Sequence, residues 1–193
     1  MQVVRNSGSD QLLGHALARR ETKTFEELVV SRICEPLDMK DTRITLSPEQ
    51  QSRLAQGYGG VFIIWRLCLS FPATNWDIPT LAGAGALRST VNDLLKFLSA
   101  NIGITQTPLS KAMETTQVVR HKIKPTKSIA MGWHIQDPNC PDGSIVWHNG
   151  GTGGYRSYMG FNKKHRVGVV ILSNSTSSVD EAGVHILRTL LPD

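Results

Sequence analysis

The sequence predicts an α+β fold in which helices flank an antiparallel sheet. Apolar residues recur at helical spacing through the first part of the chain, alternate at a spacing of two after about residue 129, and return to helical spacing near the end. The 193 residues are enough for one domain with its own hydrophobic core. We therefore expect a mainly helical region at 1–128, followed by a sheet and a closing helix at 129–193.

The clearest predicted helix lies in the segment TFEELVVSRICEPL. Thr24 and Glu27 have the spacing of a capping box, in which each side chain accepts a hydrogen bond from the backbone N–H of the other residue. Pro36 is expected to end this helix, because proline has no N–H to donate. Similar patterns predict helices at 12–20, at 89–103 with Ser89 or Thr90 as N-cap and Gly103 as the closing residue, and at 108–116.

Alternating patterns in the second half predict four strands and a final helix. The strand segments read SIAMGWHIQ, SIVWHN, YRSYMGFN and RVGVVILSNS. Turn residues connect them, as in NCPDG and NKKH. Ser178 and Glu181 predict a capping box at the start of a helix over 180–191. Strands that follow one another through short turns favour an antiparallel meander.

Composition argues against several classes of function. The net charge is +5, but the basic residues are scattered apart from clusters at 120–127 and 163–166, and no nucleic-acid-binding motif accompanies them, so we expect no nucleic-acid partner. The three cysteines are an odd number without a Cys-x-x-Cys pair, and the histidines show no His-Glu-x-x-His motif. The sequence therefore predicts neither a disulfide framework nor a metal site.

An apolar run, VFIIWRLCLSF, occupies residues 61–71. It is shorter than the roughly 20 residues that a membrane-spanning helix needs, and it contains Arg66. A buried strand or a surface that faces a partner would explain it. The first residues contain no apolar segment of the kind found in a signal peptide, so the sequence leaves the localisation of this chain unknown.

The segment WHNGGTGGYRSYMGF, residues 147–161, places four glycines in five positions beside His148. It lacks the pattern of a phosphate-binding loop and precedes a predicted strand rather than a helix. One interpretation is a tight glycine turn in a hairpin next to a hydrogen-bonded histidine. The other is a strand edge whose N–H groups stabilise an oxyanion, while the histidine assists proton transfer. The residues alone leave both interpretations open.

The same segment resembles a motif of the serine β-lactamase and penicillin-binding-protein superfamily. In HNGGTGGY, the residues His148, Asn149, Gly150, Gly154 and Tyr155 match the third motif of its class C branch, which includes D-alanyl-D-alanine carboxypeptidases and esterases. Three further segments resemble the same family, in the family's order: TFEELVVSRICEPLDMKDT, TLAGAGALRSTVNDLLKFL and GVVILSNS.

The resemblance implies a β-lactamase/transpeptidase-like fold and a serine hydrolase reaction. A β-lactam, a D-Ala-D-Ala peptide or an ester would acylate a serine and then be hydrolysed, with no metal or organic cofactor. His148 would take the place of the family's Lys or His, and Gly151 would supply a backbone N–H to the oxyanion hole. For the family, the location is periplasmic or otherwise extracytoplasmic. The resemblance implies four substrate-binding residues: Asn149, Gly150, Gly154 and Tyr155.

This sequence also departs from the family pattern. No Ser, Thr or Cys is followed three residues later by Lys, so the nucleophile motif Ser-x-x-Lys is absent. The tyrosine of the Tyr-x-Asn motif is missing before LLGHAL, where Asn6 matches the asparagine. The segment GGVFIIWRLCLSFPA at 59–73 is an insertion relative to the family. These departures indicate the C-terminal portion of a catalytic domain whose N-terminal part is missing.

We therefore predict a C-terminal fragment of a class C β-lactamase-like serine hydrolase that is inactive alone. A pseudoenzyme that binds a peptidoglycan-like or peptide ligand without turnover is an alternative. A split protein that regains activity with its separate N-terminal segment is another, and a basic module that binds polyanions is a third. Apolar surface left uncovered by the missing part also predicts self-association.

Overall fold

The computed structural model describes residues 7–64, 67–76, 82–137, 139–140 and 143–191. These residues form a helical region followed by an antiparallel sheet and a closing helix, which confirms the predicted α+β class. In chain order the helices and strands are α1 (Ser7–Arg20), α2 (Phe25–Val29), α3 (Pro48–Ser52), β1 (Tyr58–Ile64), β2 (Leu67–Pro72), α4 (Val91–Ile102), α5 (Ser110–Thr116), β3 (His121–Lys124), β4 (Lys127–Ile129), β5 (His134–Gln136), β6 (Ile145–Thr152), β7 (Tyr155–Asn162), β8 (Val167–Ser173) and α6 (Asp180–Thr189).

Helix α2 begins with the predicted capping box. The Glu27 N–H donates to Thr24 Oγ1 (3.1 Å), and the Thr24 N–H donates to Glu27 Oε2 (2.6 Å). The helical path continues through a π-helical segment, Val30–Cys34, and a 3-10 turn, Glu35–Leu37. Pro36 lies inside that last turn, and the chain leaves the helix at the following left-handed residue, Asp38.

Helix α4 also begins and ends at predicted residues. The Thr90 side chain accepts a hydrogen bond from the Asp93 N–H (3.3 Å), so Thr90 rather than Ser89 is the N-cap. Gly103 closes the helix in the left-handed region, with φ 87°. Its apolar face packs on the sheet and thereby places the helical region against β7 and β8.

The main sheet has six antiparallel strands in the order β3-β4-β5-β6-β7-β8, so each strand pairs with its neighbour in sequence. The predicted single strand over 128–136 is wrong, because the chain turns between β4 and β5. Gly132 has φ 78°, and the Ala130 N–H donates to the Trp133 carbonyl (2.9 Å) across that turn. The sheet also begins at His121, earlier than the expected boundary near residue 129.

Helices cover both faces of the sheet, which gives three layers. Leu98 and Ile102 of α4 pack against Val146 and Phe161 on one face. Leu187 of α6 packs on the other face, within a second core cluster. Side chains alternate between the two faces along each strand, so Val146 and Phe161 lie on the α4 side, whereas Ile145 and Tyr158 lie in the cluster with Leu187 of α6.

The predicted capping box of α6 is wrong. Val179 is the N-cap and has no side-chain cap, whereas the Ser178 hydroxyl accepts only the Asp180 N–H (3.3 Å). Val179 packs into the core between α6 and the sheet. Burial of this apolar side chain places the start of the helix one residue after the position that the Ser178–Glu181 spacing suggests.

The described residues of the apolar run, 61–64 and 67–71, lie in two strands of a hairpin rather than in a single strand. Strands β1 and β2 pair antiparallel as a separate two-stranded sheet. The base of the hairpin contacts the end of the main sheet, where the Tyr58 N–H donates to the Asn174 carbonyl (2.9 Å) and Tyr58 forms a parallel bridge with Ser175. The hairpin therefore stands beside the β6–β7 turn.

The two edges of the main sheet differ in charge. Edge strand β3 carries Lys122 and Lys124, and lysines on an edge oppose the addition of another strand. Edge strand β8 reads VGVVILS and carries no charged residue. Within the described residues, no strand pairs with the outer side of β8.

A buried carboxylate joins α4 to the loop that follows the Glu35–Leu37 turn. Asp93 is 4% exposed, and its Oδ2 accepts the Asp41 N–H (2.8 Å) and the Thr42 hydroxyl (2.9 Å). The Thr42 hydroxyl also lies 2.7 Å from Ser89 Oγ. The Asp93 carboxylate therefore fixes the loop at Asp41 and Thr42 against α4. Its removal would be costly, because it would leave these donors without an acceptor.

Asp93→Ala should therefore lower the free energy of unfolding by about 3 kcal/mol, since two hydrogen bonds to the carboxylate are lost and the buried Thr42 hydroxyl loses this acceptor. Urea denaturation followed by circular dichroism measures this change. Asp38→Asn is the matched control, because the exposed Asp38 contributes only surface ion pairs and asparagine tolerates its left-handed backbone. Equal midpoints for the two variants would contradict the assigned role of Asp93.

Candidate active site

A two-residue turn joins β6 and β7 at the centre of the glycine-rich segment. Thr152 pairs with Tyr155, and Gly153 and Gly154 form the turn between them. Gly154 has φ 82°, which glycine adopts at little steric cost. The glycine-rich segment therefore forms the tight hairpin turn that was one of its two predicted interpretations.

Beyond Trp147, one side of β6 has no partner strand among the described residues. Strand β5 pairs only with Ile145–Trp147, so residues 148–152 form an open edge. The two residues that close a two-residue hairpin donate backbone hydrogen bonds to each other. Along the strands, such hydrogen-bonded pairs alternate with pairs whose N–H and C=O groups point outward, away from the partner strand. Gly151 pairs with Arg156 in the next position, so its N–H points away from β7 and toward the open edge.

The open edge borders a cleft between the sheet and the helical region. The larger part has a volume of about 920 Å³ and reaches residues 150–152, and the smaller part, about 520 Å³, extends along His148. Both parts are lined by the apolar side chains of Leu94, Phe97 and Met159. An apolar patch formed by α4 and β7 is therefore common to both parts of the cleft.

His148 is half-buried at the start of the open edge. Val146 is buried under α4, and alternation turns His148 toward the same side, whereas Trp147 and Asn149 face α6. The ring of His148 lies 6.2 Å from the ring of His134, at an interplanar angle of 32°. The imidazole thus lines the cleft within three residues of the Gly151 N–H.

The Asn149 side chain bonds to the protein rather than turning to the side of His148. Its Nδ2 donates to Asp180 Oδ2 (2.7 Å) in the first turn of α6. This bond argues against the expectation that the Asn149 side chain faces the substrate. Neighbouring residues of a strand point to opposite faces, so Asn149 lies on the face opposite to His148. The bond instead ties the open edge to α6.

Gly154 and Tyr155 contact the segment around the β1–β2 hairpin. A Cβ on Gly154 would lie 2.8 Å from the Ala73 side chain, so only glycine fits this approach. The Tyr155 hydroxyl donates to the Ala55 carbonyl (2.7 Å) and lies 2.9 Å from Asn75 Oδ1. Both residues thus attach the hairpin to the rim of the cleft, and substrate contact by Gly150, Gly154 or Tyr155 stays a prediction.

Arg156 lies beside the open edge and was given no role by the sequence analysis. A Cβ on Gly151 would overlap the Arg156 guanidinium, which therefore occupies the space that a side chain would fill. Arg156 Nε donates to the Thr176 carbonyl (3.1 Å). A two-residue turn at Gly153–Gly154 would have predicted this pairing, because it fixes the register of the hairpin.

Tyr158, on β7, packs in the core cluster with Leu187 of α6. It is 1% exposed, stacks on Trp147 at 5.8 Å, and its hydroxyl has no hydrogen-bond partner among the described residues. Burial, together with the negative charge of Asp180, raises the pKa of this phenol well above its usual range. Tyr158 therefore stays neutral and belongs to the core under α6.

Further findings concern Asn6, Trp76, metal ligands and membrane-spanning helices. Asn6 lies outside the described residues. Trp76 is 51% exposed and lines the larger part of the cleft near Gly153. In the part of the chain that the structure describes, no three His, Cys, Asp or Glu side chains come together as metal ligands. None of the described helices is both long enough and apolar enough to cross a membrane.

Comparison with known proteins gives relatives for nearly the whole chain. A family model described as Beta-lactamase matches residues 5–191. The D-alanyl-D-alanine-carboxypeptidase/endopeptidase AmpH of Escherichia coli strain K12 is 27% identical over 176 residues, covering 83% of this chain and 42% of that protein. Penicillin-binding protein 4* of Bacillus subtilis strain 168 is 28% identical over 195 residues, covering 91% of this chain and 42% of that protein. The chain therefore spans less than half the length of these relatives.

Solved structures show the same fold. A β-lactamase/D-alanine carboxypeptidase from Pseudomonas syringae matches with a TM-score of 0.80 at 24% identity, over 94% of this chain and 57% of that chain. A class C β-lactamase matches with a TM-score of 0.80 at 18% identity, over 97% of this chain and 56% of that chain. The described elements are thus a large part, but not all, of a β-lactamase fold. Together with the family model that matches residues 5–191, this fold shows that the chain belongs to the β-lactamase family, within the serine β-lactamase and penicillin-binding-protein superfamily.

Proposed function

We propose that this chain forms one wall of the acyl-transfer site of a class C β-lactamase-like serine hydrolase. The substrate is a β-lactam, a D-Ala-D-Ala peptide or an ester. The serine and its base come from residues outside these 193, because the sequence contains no Ser-x-x-Lys motif. Alone, the chain binds such a ligand without turning it over.

The observation that carries this proposal is the open edge of β6. Gly151 is exposed there, its N–H points away from β7, and the edge borders a cleft large enough for a small substrate. A backbone N–H that is fixed before the reaction stabilises an oxyanion without reorganisation. His148 lines the same cleft, so a titratable group and the N–H are available to one ligand.

The names of the relatives support the choice of substrates. AmpH is named as a D-alanyl-D-alanine carboxypeptidase/endopeptidase, and the Bacillus subtilis protein as a penicillin-binding protein. Both names fit a site that accepts a carbonyl next to a strand edge. The chain is about 27–28% identical to them, which supports the reaction class and leaves the individual substrate to experiment.

In the proposed reaction, Gly151 and His148 of the open edge contact the substrate. The serine hydroxyl attacks the carbonyl carbon and loses its proton to its base, and the carbonyl oxygen becomes an oxyanion that accepts the Gly151 N–H. The leaving group departs with a proton, and water then hydrolyses the acyl-enzyme. His148 assists proton transfer or holds the polar end of the substrate at the other end of the open edge.

The apolar part of the cleft fits a missing segment of protein better than a second small ligand. Leu94, Phe97 and Met159 line it in both of its parts, and such surface is covered in most folded monomers. The matched structures contain about 43% of their chain beyond the part that this chain covers. We propose that the segment bearing the serine packs there and brings its hydroxyl to the open edge.

The first test of this function is covalent labelling. The chain alone should show no acyl adduct with a fluorescent penicillin and no nitrocefin or p-nitrophenyl-ester turnover above buffer, because it lacks the nucleophile. A chain extended by a family N-terminal segment with Ser-x-x-Lys, or supplied with it in trans, should be labelled. A stoichiometric adduct on the 193 residues alone, located by mass spectrometry, would refute the assignment of the serine to another segment.

The second test concerns His148 in the extended chain. His148→Ala should lower the acylation rate by about 10²–10⁴-fold, since positioned proton transfer contributes this order of rate. His185→Ala, on the exposed face of α6, is the matched control and should leave the rate unchanged. Equal rates for the two variants would remove His148 from the mechanism. Stopped-flow labelling measures the acylation step directly.

The third test concerns the uncovered apolar surface. The isolated chain should self-associate and bind the dye ANS, because large apolar side chains remain exposed. Sedimentation velocity and ANS fluorescence measure both effects, and the missing segment should reduce them. A monomeric chain with a cooperative thermal transition and no ANS signal would contradict the proposal. The exposed residues include Trp76, Leu87, Leu95, Met131 and Leu172.

A further inference from the structure

Two basic turns lie at the same end of the main sheet. Lys124 pairs with Lys127 at the β3–β4 turn. Through β5 and β6, Lys127 lies in the same cross-strand row as Asn162, the last residue of β7. The β7–β8 turn, residues 163–166, follows directly. Strand pairing thus joins two basic segments that are far apart in sequence into one surface, which we call the basic end. Its cations are Lys124, Lys127, Lys163, Lys164 and Arg166.

Few acidic groups oppose these cations. The sequence has no Asp or Glu between residues 115 and 136. Among the described residues, no carboxylate forms an ion pair with Lys124, Lys127 or Arg166. Lys124 and Arg166 are exposed, whereas the half-buried Lys127 places its Nζ 5.5 Å from the centre of the Trp147 ring. An aromatic ring attracts a cation without removing its charge, so Lys127 is a positioned positive group.

The acids that border the basic end contact other cations. Glu114 of α5 lies 3.3 Å from Lys163 Nζ and partly neutralises that lysine. Asp137, after β5, lies 3.6 Å from Arg188 of α6. Asp142, in the same loop, lies outside the described residues. Even when all three acids are counted, the cations of this surface outnumber them, so the basic end keeps an excess of positive charge.

The cations form a line rather than a compact cluster. Neighbouring strands lie about 4.8 Å apart, so the end of the sheet spans about 24 Å from β3 to β8. Most of the cations are lysines, which act as point charges and need no ligand of fixed planar shape. A line of point charges matches anionic groups that repeat along a polymer.

The two turns argue against a lipid surface and against nucleic-acid bases as the partner. They read Lys-Pro-Thr-Lys and Asn-Lys-Lys-His-Arg, and they contain no large apolar side chain that could insert between lipids. They also lack the Phe, Tyr or Trp on which bases stack. A flexible polymer that carries phosphate or sulfate groups fits this surface better than either.

We propose that the basic end binds a linear polyanion, a chain of repeated phosphate or sulfate groups. This site is separate from the candidate active site and does not depend on the proposed function. Strand β6 begins at Ile145, at the basic end, and Gly151 lies about 20 Å further along the strand. A polymer bound at the basic end therefore leaves the cleft free, and it anchors the protein with the open edge of β6 at the far end of the sheet.

Protection of a sheet edge would give a different result. Lysines that only keep other strands away from β3 are needed on that strand and not in the β7–β8 turn. Polyanion binding requires both turns, because both lie on the same line of charge. Variants of each turn therefore separate the two roles.

The experiment measures binding of the 193-residue chain to fluorescein-labelled inorganic polyphosphate and to a labelled heparin oligosaccharide, by fluorescence anisotropy over a series of salt concentrations. The unchanged chain should bind at low salt, and log Kd should rise linearly with log salt concentration as counterions are released. Lys124→Gln with Lys127→Gln should weaken binding at least about 10-fold and lower the salt slope by about 1 for each cation removed. Lys164→Gln with Arg166→Gln should have the same effect.

Arg19→Gln with Arg20→Gln is the matched control, because it removes two exposed cations from α1 and changes the net charge equally. Its affinity and salt slope should equal those of the unchanged chain. All variants should keep a native circular dichroism spectrum. Penicillin labelling of the extended chain should be the same with and without the turn substitutions, since the cleft lies at the far end of the sheet.

Equal weakening in the α1 control, no binding at low salt, or an effect confined to the β3–β4 turn would overturn the inference. Tighter binding to vesicles of phosphatidylcholine and phosphatidylserine than to either polymer would also overturn it, because the surface would then belong to a lipid. Binding to only one of the two polymers supports the inference and identifies the charged group as phosphate or sulfate.

Discussion

The two-residue turn at Gly153–Gly154 fixes the register of β6 against β7, and the geometry of the candidate site follows from that register. It decides that His148 and Asn149 face opposite layers and that the Gly151 N–H points to the side that β5 does not reach. A shift by one residue would exchange the two faces and turn this N–H back into the sheet. The hairpin therefore sets both the packing of the sheet and the geometry of the candidate site.

The glycines of this hairpin make contacts of different kinds. Gly154 lets the segment at Ala73 approach, Gly153 lies against Trp76, and Gly151 gives its side-chain space to Arg156. The structure confirms the tight turn, whereas the oxyanion interpretation of the same residues stays a prediction. A tight turn forms, and the strand edge beside it remains available. The lack of a side chain allows close packing at Gly153 and Gly154, and in the proposed function it also lets a ligand approach the Gly151 N–H.

Local sequence patterns predicted the features of the fold that depend only on residues close in sequence. The helix caps at Thr24 and Thr90 depend on hydrogen bonds within one turn of the helix. Strand β7 was predicted from the alternation of its side chains. Contacts between distant segments could not be predicted in this way. Asp180 takes the Asn149 side chain, and the burial of Val179 decides where α6 begins. The family resemblance supplied the fold and the motif, but the charge beside Gly151 became visible only through strand pairing.

The unequal edges of the sheet have a consequence for how the molecule is assembled. Each of the six strands pairs with its neighbour in sequence, so forming the sheet closes only short loops and costs little loop-closure entropy. The sheet can therefore form before contacts between distant segments are made. Lysines discourage growth at β3, whereas β8 presents an uncharged edge. Any strand that joins the sheet from elsewhere is directed to β8 and arrives as a late, long-range pairing. The sheet thus has a direction of growth, away from the lysines and toward the side between α4 and α6.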